Sequence, residues 1–171
     1  MNPQSPQQQI HVLMVCLGNI CRSPTAHGVL QKLIDDNGLS ELVKVESAGI
    51  SRYHIGSSPD NRSASAASLR GYDLSDQRAR QLADSDYQQF NYILAMDRAN
   101  LEEIEGRKPV DSPAHTSLLL DFAAEADYSE VPDPYYSGAD GFEVVLDLVE
   151  NACGELLAQI ISEHNLDSFR K

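Results

Sequence analysis

Cys16 and Arg22 stand six positions apart in a short segment whose composition suits anion binding. A tight loop that leads into a helix points successive backbone N–H groups at one centre, and the helix dipole adds positive potential there. The guanidinium of Arg22 can hold two oxygens of a phosphate with its fork of donors, a geometry that lysine cannot match. The spacing therefore predicts a phosphate-binding loop, whose other members are Leu17, Gly18, Asn19, Ile20, Cys21 and Ser23.

The thiol at the start of this loop is placed to act as a nucleophile. Positive potential at the loop centre favours the thiolate form of Cys16, which is the reactive form. The Ser23 hydroxyl can donate to that sulfur and stabilise it as a leaving group when water breaks a phosphocysteine bond. Gly18 and Asn19 are both expected to accept the left-handed backbone that such a loop requires. A cysteine is often only an apolar filler, but the elements on either side of the loop argue against that interpretation here.

A strand before the loop and a helix after it must hold the loop in place. The run from Ile10 to Val15 is apolar and partly β-branched, which predicts a buried strand. Ser23-Pro24 indicates an N-cap followed by proline at the first helical position, and apolar residues then recur at helical spacing until Asn37-Gly38.

Further strands and helices alternate along the chain. Strands are predicted at Val43 to Val45, Phe90 to Met96 and Leu118 to Leu120. Helices are predicted from Ser58-Pro59 to Gly71, after a cap at Asp97, and along the apolar stripe from Phe142 to Ile161. This alternation indicates parallel βαβ units with helices on both faces of the sheet. Ligands of such sheets bind beyond the carboxyl ends of the strands, where Cys16 and Asp97 both fall.

Composition limits the class of protein. With 171 residues, one domain is expected over residues 10–171, after a disordered polar tail over residues 1–9. The formal net charge of -13 disfavours nucleic acid and anionic membranes as partners. The amino terminus lacks signal-peptide features, no membrane-spanning apolar run is present, and three cysteines do not suggest a disulfide framework. We expect a cytoplasmic monomer.

The phosphate-binding loop and four later segments resemble one known family. The run from Val15 to Pro24 is similar to the active-site loop of low-molecular-weight protein tyrosine phosphatases. Segments that resemble other motifs of that family follow in its order: Ser47-Ala48-Gly49, Arg78-Ala79-Arg80-Gln81, Tyr92-Ile93-Leu94-Ala95-Met96-Asp97 and Val131-Pro132-Asp133-Pro134-Tyr135-Tyr136. The resemblance implies a single three-layer α/β domain of the flavodoxin or Rossmann-like kind, with a four-stranded parallel sheet. It also implies nucleophile Cys16, phosphate-binding Arg22 and general acid Asp133.

Asp133 and neighbouring aromatic residues would complete a site for an aryl phosphate. A positioned acid that protonates a leaving phenolate contributes roughly a hundred- to ten-thousand-fold in rate. Prolines on both sides of Asp133 fix backbone φ and stiffen its loop. Tyr135 and Tyr136 follow directly, and Tyr53 occupies the place of the family's aromatic residue at the pocket mouth. These rings are expected to form the walls of the pocket.

Support for the loop is expected from other polar residues. Asn19 and Ser47 resemble members of the family's network that holds the loop, but the third position, commonly histidine, is Gln77, which can still donate a hydrogen bond. Asp97 is either a helix cap alone or also a support of the site. The five histidines show no metal-ligand spacing, so we expect no metal and no cofactor, and Cys153 lies on an apolar helix stripe as a core thiol.

Three alternatives to a tyrosine phosphatase share some of these features. An arsenate reductase of the same fold needs a distal cysteine pair, and residues 82–96 contain none. A protein arginine phosphatase carries threonine where Ile20 stands. A phosphate-binding module without activity would not need Cys16, Arg22 and Asp133 together. The favoured substrates are tyrosine-phosphorylated proteins, with phosphate or another oxyanion bound in the active site.

Overall fold

The computed structural model describes residues 8–124, 127–135 and 137–170, and within them four parallel strands form one sheet. The strands are β1 (Ile10–Cys16), β2 (Val43–Gly49), β3 (Tyr92–Ala95) and β4 (His115–Leu118), in the spatial order β2-β1-β3-β4. The chain moves from β1 to β2 on one side and then crosses to β3 on the other side of β1. The crevice between β1 and β3 is therefore the topological switch point, where ligands of such sheets bind.

Helices cover both faces of the sheet, as predicted for a three-layer α/β domain. They are α1 (Arg22–Asp36), α2 (Asn61–Leu69), α3 (Asp86–Gln89), α4 (Arg98–Arg107) and α5 (Ala139–Glu163), with 3-10 turns at Leu119–Phe122 and Asp167–Phe169. Alternate residues of β1 point to opposite faces. Val12 and Met14 belong to the core beneath α1 and α5, whereas Leu13 and Val15 belong to the core that includes Tyr87.

The start of α1 differs from the prediction. The helix begins at Arg22 with Cys21 at the N-cap position and no side-chain cap, so Ser23 is not the cap. Pro24 is the third helical residue, which is still in the first turn, where backbone N–H groups have no helical acceptor. The Ser23 hydroxyl is thereby available to the loop. The helix ends as predicted, with Asn37 as the C-cap and Gly38 at φ 68°.

The start of α2 also differs from the prediction. Its N-cap is Asp60, whose carboxylate accepts from the Arg62 N–H at 2.8 Å, rather than Ser58. Its end agrees with the prediction, because Gly71 follows the helix at φ 88°. Aspartate is as effective an N-cap residue as serine, which explains why the helix can begin two residues later than Ser58.

The fourth strand lies three residues before its predicted position. It spans His115–Leu118, and the apolar run from Leu118 to Leu120 that suggested a strand continues into the 3-10 turn. β4 is an edge strand whose first three residues are polar; His115 is exposed, and the next two residues are partly buried. Such an edge lacks the apolar pattern of an inner strand, which explains the error.

Two further expectations concern the chain ends and membranes. Most of the predicted tail, residues 1–7, lies outside the described residues. Within the described ranges, no helix is both long enough and apolar enough to cross a bilayer.

Candidate active site

The predicted loop joins the carboxyl end of β1 to the start of α1 and curls around the sulfur of Cys16. Cys16 is the last residue of β1, pairs with Gly49 of β2 and is 3% exposed. Its Sγ lies 3.0 Å from the Ser23 Oγ and accepts from the Asn19 N–H at 3.3 Å. The strand end, the loop and the first helical turn thus all contact one sulfur atom at the switch point of the sheet.

Asn19 fixes the direction of the hydrogen bonds around this sulfur. Its backbone is left-handed, with φ 57°, as predicted. Its side-chain Nδ2 donates to the Ser23 Oγ at 2.8 Å and to the Ser47 Oγ at 3.0 Å. Its side-chain Oδ1 accepts from the Arg80 N–H at 3.0 Å. Because Ser23 accepts from Asn19, its own proton can point at the Cys16 sulfur, 3.0 Å away, or at the more distant Ala48 carbonyl, 3.4 Å away.

Gly18 does not take the left-handed backbone that we predicted, since its φ is not positive. A Cβ at this position would lie 3.0 Å from the Cδ2 atom of His54. At Gly49, a Cβ would lie 3.0 Å from the Leu17 carbonyl oxygen and 3.1 Å from the Asn19 nitrogen. These glycines therefore allow neighbouring groups to approach the loop closely.

Arg22 is buried and joins the loop to two acidic residues. One terminal nitrogen donates to the Asp97 Oδ2 at 2.6 Å and to the Val131 carbonyl at 3.1 Å, and the other lies 3.7 Å from the Asp133 Oδ2. Burial alone lowers the pKa of Arg22, but the negative charges of Cys16, Asp97 and Asp133 raise it above its ordinary value. Arg22 is a permanent cation at the base of the site.

Asp97 makes both the helix-capping contact and a contact within the site. It caps α4, because its Oδ1 accepts from the Asn100 N–H at 2.8 Å. Its other oxygen holds Arg22. Asp97, two residues beyond the end of β3, thereby contacts the guanidinium of Arg22, which follows β1. This contact matches the placement of the two strand ends at one edge of the sheet.

The loop that carries Asp133 closes the site from the side of β3. The Val131 N–H donates to the Met96 carbonyl at 2.8 Å and anchors this loop beside β3. Asp133 accepts from the Tyr135 N–H at 3.0 Å, and its side chain is 43% exposed. A pocket of about 450 Å³ opens between the two loops and is lined by Cys16, Leu17, Gly18, Ile20, Cys21, Arg22, Ser51, Tyr53, His54, Asp133 and Tyr135.

Aromatic residues stand at the mouth of this pocket. Tyr53 is 84% exposed and meets the His54 ring edge-on, with centroids 4.8 Å apart. The Tyr135 ring lies 5.5 Å from the guanidinium carbon of Arg62. Tyr136, also predicted as a wall, lies outside the described residues. His54 and Arg62 were not anticipated, and neither has a motif that would have revealed it.

The support behind the loop contains the predicted residues and one more. The Ser47 hydroxyl lies 3.4 Å from the Gln77 Oε1, and the Gln77 amide donates to the Pro24 carbonyl at 3.0 Å. The additional residue is His27, whose Nδ1 lies 3.4 Å from the Ser47 Oγ. Its position four residues after Ser23 on α1 places both side chains on one helix face, and this spacing could have identified it.

The two remaining cysteines are buried thiols. Burial raises the pKa of Cys21 to about 12, and the negative charges of Asp60, Cys16 and Asp133 act in the same direction, whereas a hydrogen bond from Ser63 opposes them. Cys153 is fully buried and contacts the Ala26 carbonyl at 3.8 Å, as expected for a core thiol. Among the described residues, no three potential metal ligands gather in one place.

Comparison with known proteins agrees with this architecture. Residues 11–166 match the family model described as low molecular weight phosphotyrosine protein phosphatase. The low molecular weight protein-tyrosine-phosphatase YfkJ of Bacillus subtilis is 39% identical over 157 residues, which is 92% of this chain and 99% of that protein.

Solved structures agree as well. A protein tyrosine phosphatase from Entamoeba histolytica, crystallised with Hepes in its active site, superposes with a TM-score of 0.88 at 38% identity and covers 91% of this chain and 99% of its own. A Drosophila arginine phosphatase superposes with a TM-score of 0.81 at 28% identity, over 87% of this chain and 96% of its own. The chain therefore belongs to the low molecular weight phosphotyrosine protein phosphatases, a family of cysteine-dependent enzymes that hydrolyse phosphotyrosine.

Proposed function

We propose that Cys16 is the nucleophile with which this phosphatase hydrolyses phosphotyrosine, that Arg22 and the loop N–H groups hold the phosphate, and that Asp133 is the general acid. The supporting observation is that the Cys16 sulfur lies at the base of the pocket, 3.0 Å from the Ser23 hydroxyl, with Arg22 and Asp133 in the same lining. A phosphate placed over the sulfur would meet the start of α1, where N–H groups and the helix dipole favour an anion.

The first step transfers the phosphoryl group to the enzyme. The Cys16 thiolate attacks phosphorus and forms a P–S bond as the P–O bond to the tyrosyl oxygen breaks. Asp133 in its acid form donates its proton to that oxygen, so that tyrosine leaves as a neutral phenol. Arg22 binds two equatorial oxygens and follows the charge that spreads over them in the transition state.

The second step regenerates the enzyme. A water molecule attacks phosphorus, the Asp133 carboxylate accepts its proton, and the P–S bond breaks to release inorganic phosphate and the Cys16 thiolate. The Ser23 hydroxyl, whose oxygen accepts from Asn19 at 2.8 Å, donates to the departing sulfur and lowers the energy of the thiolate.

We assign substrate selectivity to the depth of the pocket and its aromatic walls. Tyr53 and Tyr135 stand at a mouth through which a phenyl ring can reach the loop, and Tyr136 is proposed as a third wall. A serine side chain is too short to bring its phosphate to Cys16. Because a Drosophila arginine phosphatase shares this fold, the preference for phosphotyrosine over phosphoarginine is assigned to Ile20, which lacks the hydroxyl of threonine.

Three variants test the assignment of roles. Cys16→Ser and Arg22→Ala should abolish turnover of an aryl phosphate. Asp133→Asn should lower kcat by roughly a hundred- to ten-thousand-fold for esters with basic leaving groups, but should spare phosphorylation of the enzyme by esters with very good leaving groups. Asp111→Asn, at an exposed position away from the pocket, is the control. Equal losses in Asp133→Asn across leaving groups of different basicity would contradict the acid role.

We further propose a cytoplasmic monomer with a disordered tail over residues 1–9 and one phosphatase domain over residues 10–171. Three unpaired cysteines suit a reducing compartment, the net charge of -13 disfavours nucleic acid, and the family match begins at residue 11. Removal of residues 1–9 should leave kcat/KM unchanged, and light scattering should give the mass of one chain. Loss of activity on truncation, or a dimer mass, would contradict these points.

A further inference from the structure

His27 is an α1 histidine that the catalytic steps do not use. It lies one helical turn after Ser23, and most of its side chain is withdrawn from solvent. Its Nδ1 lies 3.4 Å from the Ser47 Oγ. Its polar neighbours are the uncharged Ser47 and Gln77, and the causes that shift its pKa include no ionised group.

We propose that His27 is a positioning residue for the phosphate-binding loop, which fixes the Ser47 hydroxyl and through it the amide of Asn19. One assignment of hydrogen bonds gives each of these atoms a partner. In it, Ser47 donates to the Gln77 Oε1 and accepts from the Asn19 amide and from the Nδ1–H of His27, at 3.4, 3.0 and 3.4 Å. The Gln77 amide donates to the Pro24 carbonyl at 3.0 Å, which turns its oxygen toward Ser47.

The orientation of Asn19 carries this effect to the nucleophile. The same amide nitrogen that donates to Ser47 also donates to Ser23 at 2.8 Å. That second bond turns a lone pair of Ser23 toward Asn19, so that the Ser23 proton can point at the Cys16 sulfur, 3.0 Å away, which is closer than the Ala48 carbonyl at 3.4 Å. The inference thus rests on the proposed roles of Cys16 and Ser23, and it adds a histidine from α1 to the network that holds the loop.

The largely buried position of His27 suits a neutral donor. Burial lowers its pKa to about 4, although a hydrogen bond with Gln77 partly opposes this shift. At neutral pH the ring therefore carries one proton, and the proposed donation to Ser47 places that proton on Nδ1. An apolar side chain of similar size would fill the same space but could not donate.

Paired variants separate a positioning role from simple space filling. His27→Leu removes the donor, His27→Asn keeps a donor close to the position of Nδ1, and Ser47→Ala removes the group through which His27 acts. His115→Leu, at an exposed site at the opposite end of the sheet, is the matched control. Each protein, together with the double variant His27→Leu/Ser47→Ala, is assayed for kcat and KM on an aryl phosphate and for thermal stability.

We expect His27→Leu to lower kcat about two- to tenfold, the range of one hydrogen bond, with KM within about twofold of wild type. His27→Asn should recover most of that loss. The double variant should be no slower than the slower single variant, because both changes interrupt one path. His115→Leu should leave kcat unchanged.

Three results would overturn the inference. Multiplicative losses in the double variant would show that His27 acts independently of Ser47. Equal kcat values for wild type and His27→Leu, or equal losses in His27→Leu and His27→Asn, would show that His27 only fills space. An inactive wild-type enzyme, or a Cys16→Ser variant that still turns over, would instead contradict the proposed function, so the two failures are distinguishable.

Discussion

Acidification should destabilise this protein through His27. Burial lowers the pKa of His27 in the folded protein from 6.5 to about 4. Between these values the unfolded chain binds a proton that the folded protein does not, so stability falls as the pH falls. The contribution of His27 is complete above the unfolded pKa and is lost as the pH decreases toward the folded one.

The size of this effect follows from the two pKa values. The pKa of His27 is 6.5 in the unfolded chain and about 4 in the folded protein. This difference lowers the free energy of unfolding by about 2 kcal/mol when the pH falls from about 7 to about 4.5. Because His27 keeps partial contact with solvent, this figure is an upper value. It is a large share of the roughly 5–15 kcal/mol that stabilises a typical domain.

Urea unfolding of wild type and His27→Asn at both pH values isolates this contribution, since every other titrating group is common to the two proteins. The free energy of unfolding of wild type should fall by about 2 kcal/mol more than that of the variant. Parallel decreases in the two proteins would refute the assignment of a buried, neutral histidine at this position.

Three other predictions test the surroundings of Cys16. Gly49→Ala should lower kcat roughly ten- to a hundredfold, because its Cβ would lie 3.0 Å from the Leu17 carbonyl oxygen and displace the loop. The control is Gly106→Ala, because a Cβ at Gly106 meets only open space. An unchanged kcat in Gly49→Ala would contradict this reasoning. After peroxide converts Cys16 to a sulfenic acid, the Cys21 thiolate should attack its sulfur, form a disulfide and release hydroxide. Because the pKa of Cys21 is raised to about 12, the thiolate fraction and hence the rate should rise about tenfold per pH unit. Cys21→Ser should then lose activity irreversibly, and full recovery with a reductant would make Cys21 purely structural. Tyr53→Ala should lower kcat/KM on phosphotyrosine peptides about two- to tenfold. The wild-type enzyme should prefer phosphotyrosine peptides, and comparable kcat/KM values on phosphoserine or phosphoarginine peptides would contradict the assigned selectivity.

The arrangement of the sheet and the position of the loop could be predicted because local patterns determine them. An apolar β-branched run before Cys16 and an amphipathic helix after it indicated a strand, a loop and a helix, which the structure confirms. The polar edge strand from His115 was misplaced because an edge strand needs no apolar alternation. Ser23 was taken for a helix cap because capping and binding to a thiol use the same hydroxyl group.

The support of the loop was harder to predict because it depends on contacts between distant segments. Asn19 receives a hydrogen bond from the backbone N–H of Arg80, which no side-chain pattern can indicate. Gly18 was assigned a left-handed backbone, yet its small size serves the approach of His54, a residue 36 positions away. The unexpected Gln77 became understandable only when the structure placed His27 beside the same serine.

The central claim is a phosphocysteine at Cys16, and mass spectrometry after a rapid quench tests it most directly. Wild-type enzyme is mixed with an aryl phosphate, quenched within one turnover and digested, and the phosphorylated peptide is identified. The account predicts phosphate on Cys16 alone, with none on Cys21 or Cys153 and no adduct in Cys16→Ser. Phosphate on any other residue, or turnover that leaves no phosphate on Cys16 at any quench time, would contradict the account.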